Sequence, residues 1–268
     1  MGVVNVTPDS FSDGGLFLDA SAAVAHGVEL AEQGAHILDI GGESTRPGAR
    51  PVAVEEELRR IVPVVEALSR RVGEARISID TSKAAVAQAA IAAGATLVND
   101  VSALRADPEM AGVVSGGGVD CCLMHMLGKP RTMQRGVGGS SYKDVVDDVK
   151  AFLEERLAFA VDAGVPERRI VLDPGIGFGK TVEHNLALLR RLDEIVALGR
   201  PVLIGTSRKS FLGGVPAERL PGTIATNVMA FERGASVFRV HDVAPVGAAL
   251  AVAAATLGST WTGIETTS

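Results

Sequence analysis

Eight short apolar runs recur along the chain at intervals of roughly thirty residues, and nearly all of them end in polar side chains. They are Met1–Asn5, His36–Asp39, Arg76–Asp80, Thr96–Asn99, Val119–His125, Arg169–Asp173, Pro201–Ser207 and Ser236–His241. Between them apolar residues fall at helical spacing, over about Ser21–Gln33, Val54–Arg71, an Ala-rich stretch that Thr81–Ser82 can cap and that ends at Gly94, and Asp107–Val114. The pattern continues over Lys143–Ala163, Val182–Leu198, Pro221–Arg233 and Ala244–Leu257. A strand–helix unit repeated eight times predicts a closed parallel (β/α)8 TIM barrel. No linker divides it, so one domain is expected over 1–257, with an aperiodic tail at 258–268.

In such a barrel the C-terminal strand ends converge on one mouth, where chemistry is found. The runs place Asn5, Asp39, Asp80, Asn99, His125, Asp173, Lys209, Arg239 and His241 there. Desolvating so many polar groups for packing alone is too costly, which predicts an enzyme. His125 is read as a core histidine, and His26, His36 and His184 as residues flanking helices or strands. Long loops follow the first, second and fifth strands; the first, Thr7–Asp19, is small and polar enough to close over a ligand.

Composition narrows the classes. The chain of 268 residues is 47% apolar but only 4% aromatic, so Ala, Val, Leu and Ile must fill the core, as suits strands buried on both faces. A net charge of −6 argues against nucleic acid as the main partner, but leaves room for a local basic pocket. Cys121 and Cys122 are adjacent in one strand, so their side chains should face opposite ways, as small buried hydrophobes in a reducing compartment. No signal peptide opens the sequence and no apolar run reaches membrane-spanning length, so a cytoplasmic protein without a membrane partner is expected. The charge runs Glu55–Glu57 and Glu154–Arg156 read as solvated helix faces.

Several motifs carry candidate chemistry. Asp173-Pro-Gly-Ile-Gly-Phe-Gly-Lys-Thr181 resembles a nucleotide-binding loop but has Pro174 where the first glycine must stand, leaving a Gly-rich turn behind a strand-end carboxylate. Asp80, Asn99 and Asp173 close three strands. Two carboxylates and one amide suit the edge of a flat heteroaromatic ring bearing amino and amide groups, and helix capping is the plain alternative for each. Ser207-Arg-Lys-Ser210 and Arg239-Val-His-Asp242 end the last two strands, the usual phosphate corner of this fold. Asn5, beside that corner, offers an oxygen to Mg2+ bridging phosphates, or else is a turn residue. Ser44-Thr-Arg-Pro47 suits either a second-substrate site or an ordinary proline turn. No Gly-x-Ser-x-Gly elbow, no His-Glu-x-x-His and no strand-end glutamate pair is present, which disfavours hydrolase chemistry of those kinds.

Nearly the whole length resembles the dihydropteroate synthase family. The resemblance runs through Met1–Gly15, Asp39–Gly48, Ser78–Lys83, Asn99–Asp100, Leu123–Met126, Asp173–Lys180, Ser207–Ser210 and Arg239–Asp242. It implies condensation of 6-hydroxymethyl-7,8-dihydropterin pyrophosphate with 4-aminobenzoate, with Mg2+ as cofactor. It further implies a pterin site of Asp80, Asn99, Asp173 and Lys209, and a pyrophosphate corner of Asn5, Arg239 and His241, with Asn5 also the metal ligand. Phe11, Thr45, Pro47, Phe178 and Ser210 would form the aminobenzoate wall, and Asp13 and Arg46 would join Asp80 and Lys209 as catalytic residues. A homodimer and ordinary sensitivity to sulfonamides follow by the same likeness. Family members usually carry a short segment before the first strand and a longer loop than Phe211–Leu220, so reduced stability and a changed rim are expected rather than a lost site.

Overall fold

The structure is a computed structural model that describes residues 1–7, 16–45, 49–128, 142–214 and 219–258. Six parallel strands pair in chain order: β1 (Gly2–Asn5), β2 (Ile37–Gly41), β3 (Arg76–Asp80), β4 (Leu97–Asp100), β5 (Asp120–Met124) and β6 (Ile170–Asp173). Two more, β7 (Leu203–Ile204) and β8 (Val237–Phe238), pair with each other. Single parallel bridges, Leu172 to Val202 and Gly2 to Val240, join the two sheets at both edges. The Val3 amide donates to the Val240 carbonyl at 3.0 Å, and the Val240 amide to Met1 at 2.9 Å. The ring of strands therefore closes, which leaves no open sheet edge.

Helices alternate with the strands: α1 (Leu16–Glu32), α2 (Val54–Ser69), α3 (Ala84–Ala92), α4 (Met110–Gly117), α5 (Val145–Asp162), α6 (Val182–Arg190), α7 (Leu192–Val196), α8 (Arg219–Glu232) and α9 (Val243–Thr256). Their apolar faces pack on the outside of the strands in one cluster that includes Leu38, Ile40, Ile61, Leu68, Ile79, Val98, Leu123 and Leu172. Inside the barrel a smaller apolar layer is built from Ile37, Leu97, Cys122, Val171, Leu203 and Val237. Side chains alternate across a strand with a period of two. The interior residues one step further along β2, β4, β6 and β8 are therefore Asp39, Asn99, Asp173 and Arg239, and the polar site rests directly on an apolar plug.

Several local expectations change. The predicted helix Val182–Leu198 breaks at Arg191 into α6 and α7. Thr81 does not cap α3; the Asp107 carboxylate takes the Ala84 amide at 2.8 Å, and Thr81 bonds to Glu57 at 2.9 Å. Glu57 is completely buried rather than solvated, because Thr81 and Lys83 satisfy it. Arg156 is also buried, its Nε donating to the Ala103 carbonyl at 2.9 Å and its guanidinium lying 4.0 Å from the Phe159 ring centre. Among the described residues no helix is long and apolar enough to cross a membrane.

The two thiols face opposite sides of β5 as expected, Cys121 in the outer cluster and Cys122 in the barrel interior, and both are free. Burial pushes both well above the usual thiol range. Native protein at neutral pH should therefore leave both unlabelled by a thiol reagent, and unfolding in denaturant should expose both. Rapid labelling of native protein would contradict this burial.

Candidate active site

Asp39 lies at the floor of the mouth and is wholly buried. Its carboxylate accepts from Ser78 Oγ at 2.6 Å, from Asn99 Nδ2 at 3.1 Å and from Arg239 Nε at 2.6 Å. Strand register produces the first contact, since Asp39 pairs with Ser78. Arg239 enters from β8, and its Nη2 also donates to Asp80 Oδ2 at 2.9 Å. Asp80 stands beside Asn99 in the β3–β4 register. Its second oxygen, Oδ1, is buried without a partner, leaving an acceptor for a ligand donor. Burial pushes the Asp80 carboxyl up to about 7 against the pull of Arg239, with Asp39, Glu57 and Asp100 adding to the rise.

The Gly-rich turn after β6 forms one wall. Asp173 Oδ1 accepts the Gly175 amide at 2.7 Å, and burial raises its pKa despite Lys209 and that amide. Lys209 donates to the Ile176 carbonyl and sits 4.6 Å from the centre of the Phe178 ring. Burial lowers Lys209 to about 8, with Asp173 opposing the shift and Arg239 adding to it. Phe178 packs on Val101, Met124 and Met126, giving an apolar patch beside the polar ring.

Beneath the turn lies a cation, Lys180, to which sequence reasoning assigns no role of its own. Lys180 is buried and bonds to the carbonyls of Gly175 at 2.9 Å and Phe178 at 3.2 Å, and to His125 Nδ1 at 2.9 Å. Burial lowers its pKa to about 7. His125 is a core residue, as expected, packed edge-on to Phe152 with ring centres 4.8 Å apart. Burial first, then Lys180 and Arg105, drive it down to about 2, so it serves as a neutral support. The one available signal for Lys180 was a lysine directly after three glycines at a strand end.

The corner of β7 and β8 is more open. Ser207 Oγ meets His241 Nδ1 at 3.0 Å and accepts the His241 amide at 3.1 Å. Arg208 turns outward to Asp242 at 2.5 and 3.0 Å, so it does not join the basic corner. Asn5 ends β1 and is half-buried; Thr45 is half-buried in the segment after β2; Ser210 is exposed at the start of a 3-10 turn. Phe11, Asp13, Arg46 and Pro47 lie outside the described residues. Among the described residues no three His, Cys, Asp or Glu side chains converge as a metal site.

A barrel mouth of this chemistry can grip a flat, hydrogen-bonding ring and leave a charged substituent at the β7–β8 corner. Residues 1–241 match the model of the pterin binding enzymes. The dihydropteroate synthase of Bacillus subtilis is 46% identical over 91% of this chain and 83% of that protein. The Escherichia coli K12 enzyme of the same name is 45% identical over 97% of this chain and 92% of its own length.

The chain belongs to the dihydropteroate synthase family.

Solved dihydropteroate synthases share its fold. The Xanthomonas albilineans enzyme with 4-aminobenzoic acid superposes with a TM-score of 0.88 at 48% identity, covering 97% of this chain and 93% of that one. The Yersinia pestis enzyme in complex with a sulfonamide drug gives 0.89 at 42% identity, covering 97% and 94%. In this chain the Gly-rich turn after β6 is tightest at Gly175. This glycine has φ +67°, and a Cβ there would lie 1.8 Å from the His125 carbonyl oxygen. Gly175→Ala should cost more than about 3 kcal/mol in denaturant unfolding and abolish ligand binding at the mouth. A variant with wild-type stability would show that the turn is not held as described.

Proposed function

We propose that this chain joins 6-hydroxymethyl-7,8-dihydropterin pyrophosphate to 4-aminobenzoate, yielding 7,8-dihydropteroate and pyrophosphate in folate biosynthesis. The observation that carries the reading is the buried set Asp80, Asn99 and Asp173 around Arg239, with Lys209 and Phe178 beside it. In a family whose members bind pterins, this is the ring site. The two carboxylates accept ring and amino N–H groups, Asn99 adds an amide, and Lys209 supplies a donor over the ring edge.

Arg239, His241 and Asn5 form the pyrophosphate end. Asn5 is a half-buried neutral oxygen donor with no carboxylate cluster around it among the described residues, which fits Mg2+ held mainly by substrate phosphates. Bound there, the metal would neutralise charge on the departing pyrophosphate. Loss of pyrophosphate leaves a cationic methylene conjugated to the ring. Asp80, with Asp13 on the first loop, stabilises that charge, and Lys209 holds the ring in place. The arylamine then attacks from a wall that Phe11, Thr45, Pro47, Phe178 and Ser210 would form, with Arg46 as a further catalytic residue. No enzyme nucleophile is required.

The protein acts in the cytoplasm, where its free thiols stay reduced, and pairs as a homodimer. Exposed Leu220 and Met229 of α8 and Val252 and Leu257 at α9 support that surface.

Pyrophosphate release is the direct test. With Mg2+ and dihydropterin pyrophosphate, purified protein should release pyrophosphate only when 4-aminobenzoate is present, with matching dihydropteroate. Binding without release would reject the activity. Asp80 adds a pH signature. Ring donors need its ionised form, so affinity for dihydropterin pyrophosphate should tighten as pH rises through about 7. Asp80→Asn should remove that dependence and bind roughly 10- to 100-fold more weakly at pH 8. A retained ionisation in the variant would assign it to another group.

A further inference from the structure

After β7 the chain makes a tight turn over Thr206–Lys209. The Lys209 amide donates to the Thr206 carbonyl at 3.2 Å, and between them Arg208 sits at φ +57°. A left-handed conformation is costly for a residue with a long side chain, so the turn has to be held by its surroundings. The turn also parts two neighbouring cations. Arg208 goes outward to Asp242, while Lys209 crosses to the Ile176 carbonyl and the Phe178 ring.

The buried face of α8 holds this turn. That face consists of Thr223, Thr226, Asn227 and Ala230, where packing alone would favour larger apolar side chains. The Arg208 amide donates to Thr223 Oγ1 at 3.1 Å, and the Thr223 hydroxyl donates to the Arg219 carbonyl at 2.7 Å. Thr206 Oγ1 accepts the Thr226 hydroxyl at 2.8 Å and Asn227 Nδ2 at 3.1 Å. Asn227 Oδ1 is buried without a hydrogen-bond partner, a cost that a leucine there would avoid. Stability therefore does not account for this polar face. Its bonds to the turn fix the backbone around Lys209 at two points: the amide of the residue before it, and the residue whose carbonyl takes its own amide.

We propose that Thr206, Thr223, Thr226 and Asn227 are positioning residues for Lys209, holding the turn so that its ammonium is aimed at the pterin ring. This rests on the synthase reading, in which Lys209 belongs to the pterin site.

Thr223→Val, and the apolar triple Thr206→Val with Thr226→Val and Asn227→Leu, keep the shape of this contact and remove its polarity. Calorimetry on the full chain should give a Kd for dihydropterin pyrophosphate raised roughly tenfold in each. Thr223→Ser keeps the hydroxyl and should bind like wild type. The triple removes both sides of the Thr206 bonds together with the unpaired oxygen, so its thermal midpoint should match or exceed that of wild type. Lys209→Ala tests the route, since adding Thr223→Val to it should cause no further loss of affinity. An unchanged Kd in Thr223→Val, an equal loss in Thr223→Ser, or a loss that adds in full to that of Lys209→Ala would overturn the proposal and leave the synthase reading standing. Wild-type protein that does not bind dihydropterin pyrophosphate would overturn both.

Discussion

Three donors converge on one buried carboxylate at the floor of this barrel, and the site above depends on that convergence. Asp39 takes Ser78, Asn99 and Arg239 together. An isolated carboxylate at that depth would be prohibitively desolvated, so the hydrogen bonds and the guanidinium are a condition of its presence. In return Asp39 fixes which atoms of its neighbours remain for a ligand. Asn99 spends an amide hydrogen on it, and Arg239 is drawn from the β8 end across the barrel to reach Asp80 as well. A guanidinium can do this where an ammonium could not, because its planar fork serves two carboxylates at once.

The opposite wall shows a second division of labour between two lysines. Lys180 is enclosed by carbonyl oxygens and His125 and supports the Gly-rich turn from below. Lys209 lies above it against Ile176 and Phe178. Burial lowers both pKa values, but Lys180 divides its donors among Gly175, Phe178 and His125, whereas Lys209 meets the Ile176 carbonyl and the face of Phe178. The glycines at 175, 177 and 179 all have positive φ, so the turn curls tightly enough for its carbonyls to point inward at one ammonium.

Much of the site was legible because strand periodicity is so regular. Asp39, Asp80, Asn99, Asp173 and Arg239 could be placed at the mouth once the runs were read as strands. Other features escaped for reasons of reach. Glu57 and Arg156 look like ordinary surface charges on their helices, and only Thr81, Lys83 and the Ala103 carbonyl, distant in sequence, make their burial tolerable. Thr81 seemed a helix cap because capping is a local rule; a buried acceptor on α2 claimed its hydroxyl instead.

Hydrophobic periodicity alone was enough for the eightfold alternation, the opposite facing of Cys121 and Cys122 and the residue types at the mouth. Those follow from local periodicity, which short-range geometry enforces. The tertiary structure decided the pairings: Arg239 with Asp39 and Asp80, Lys180 with His125, and Lys83 with Glu43 and Glu57. Each of these joins residues far apart in the sequence, brought together from different strand–helix units. A long cationic side chain can reach several acceptors, and only barrel closure fixes which of them lie within a hydrogen bond of it.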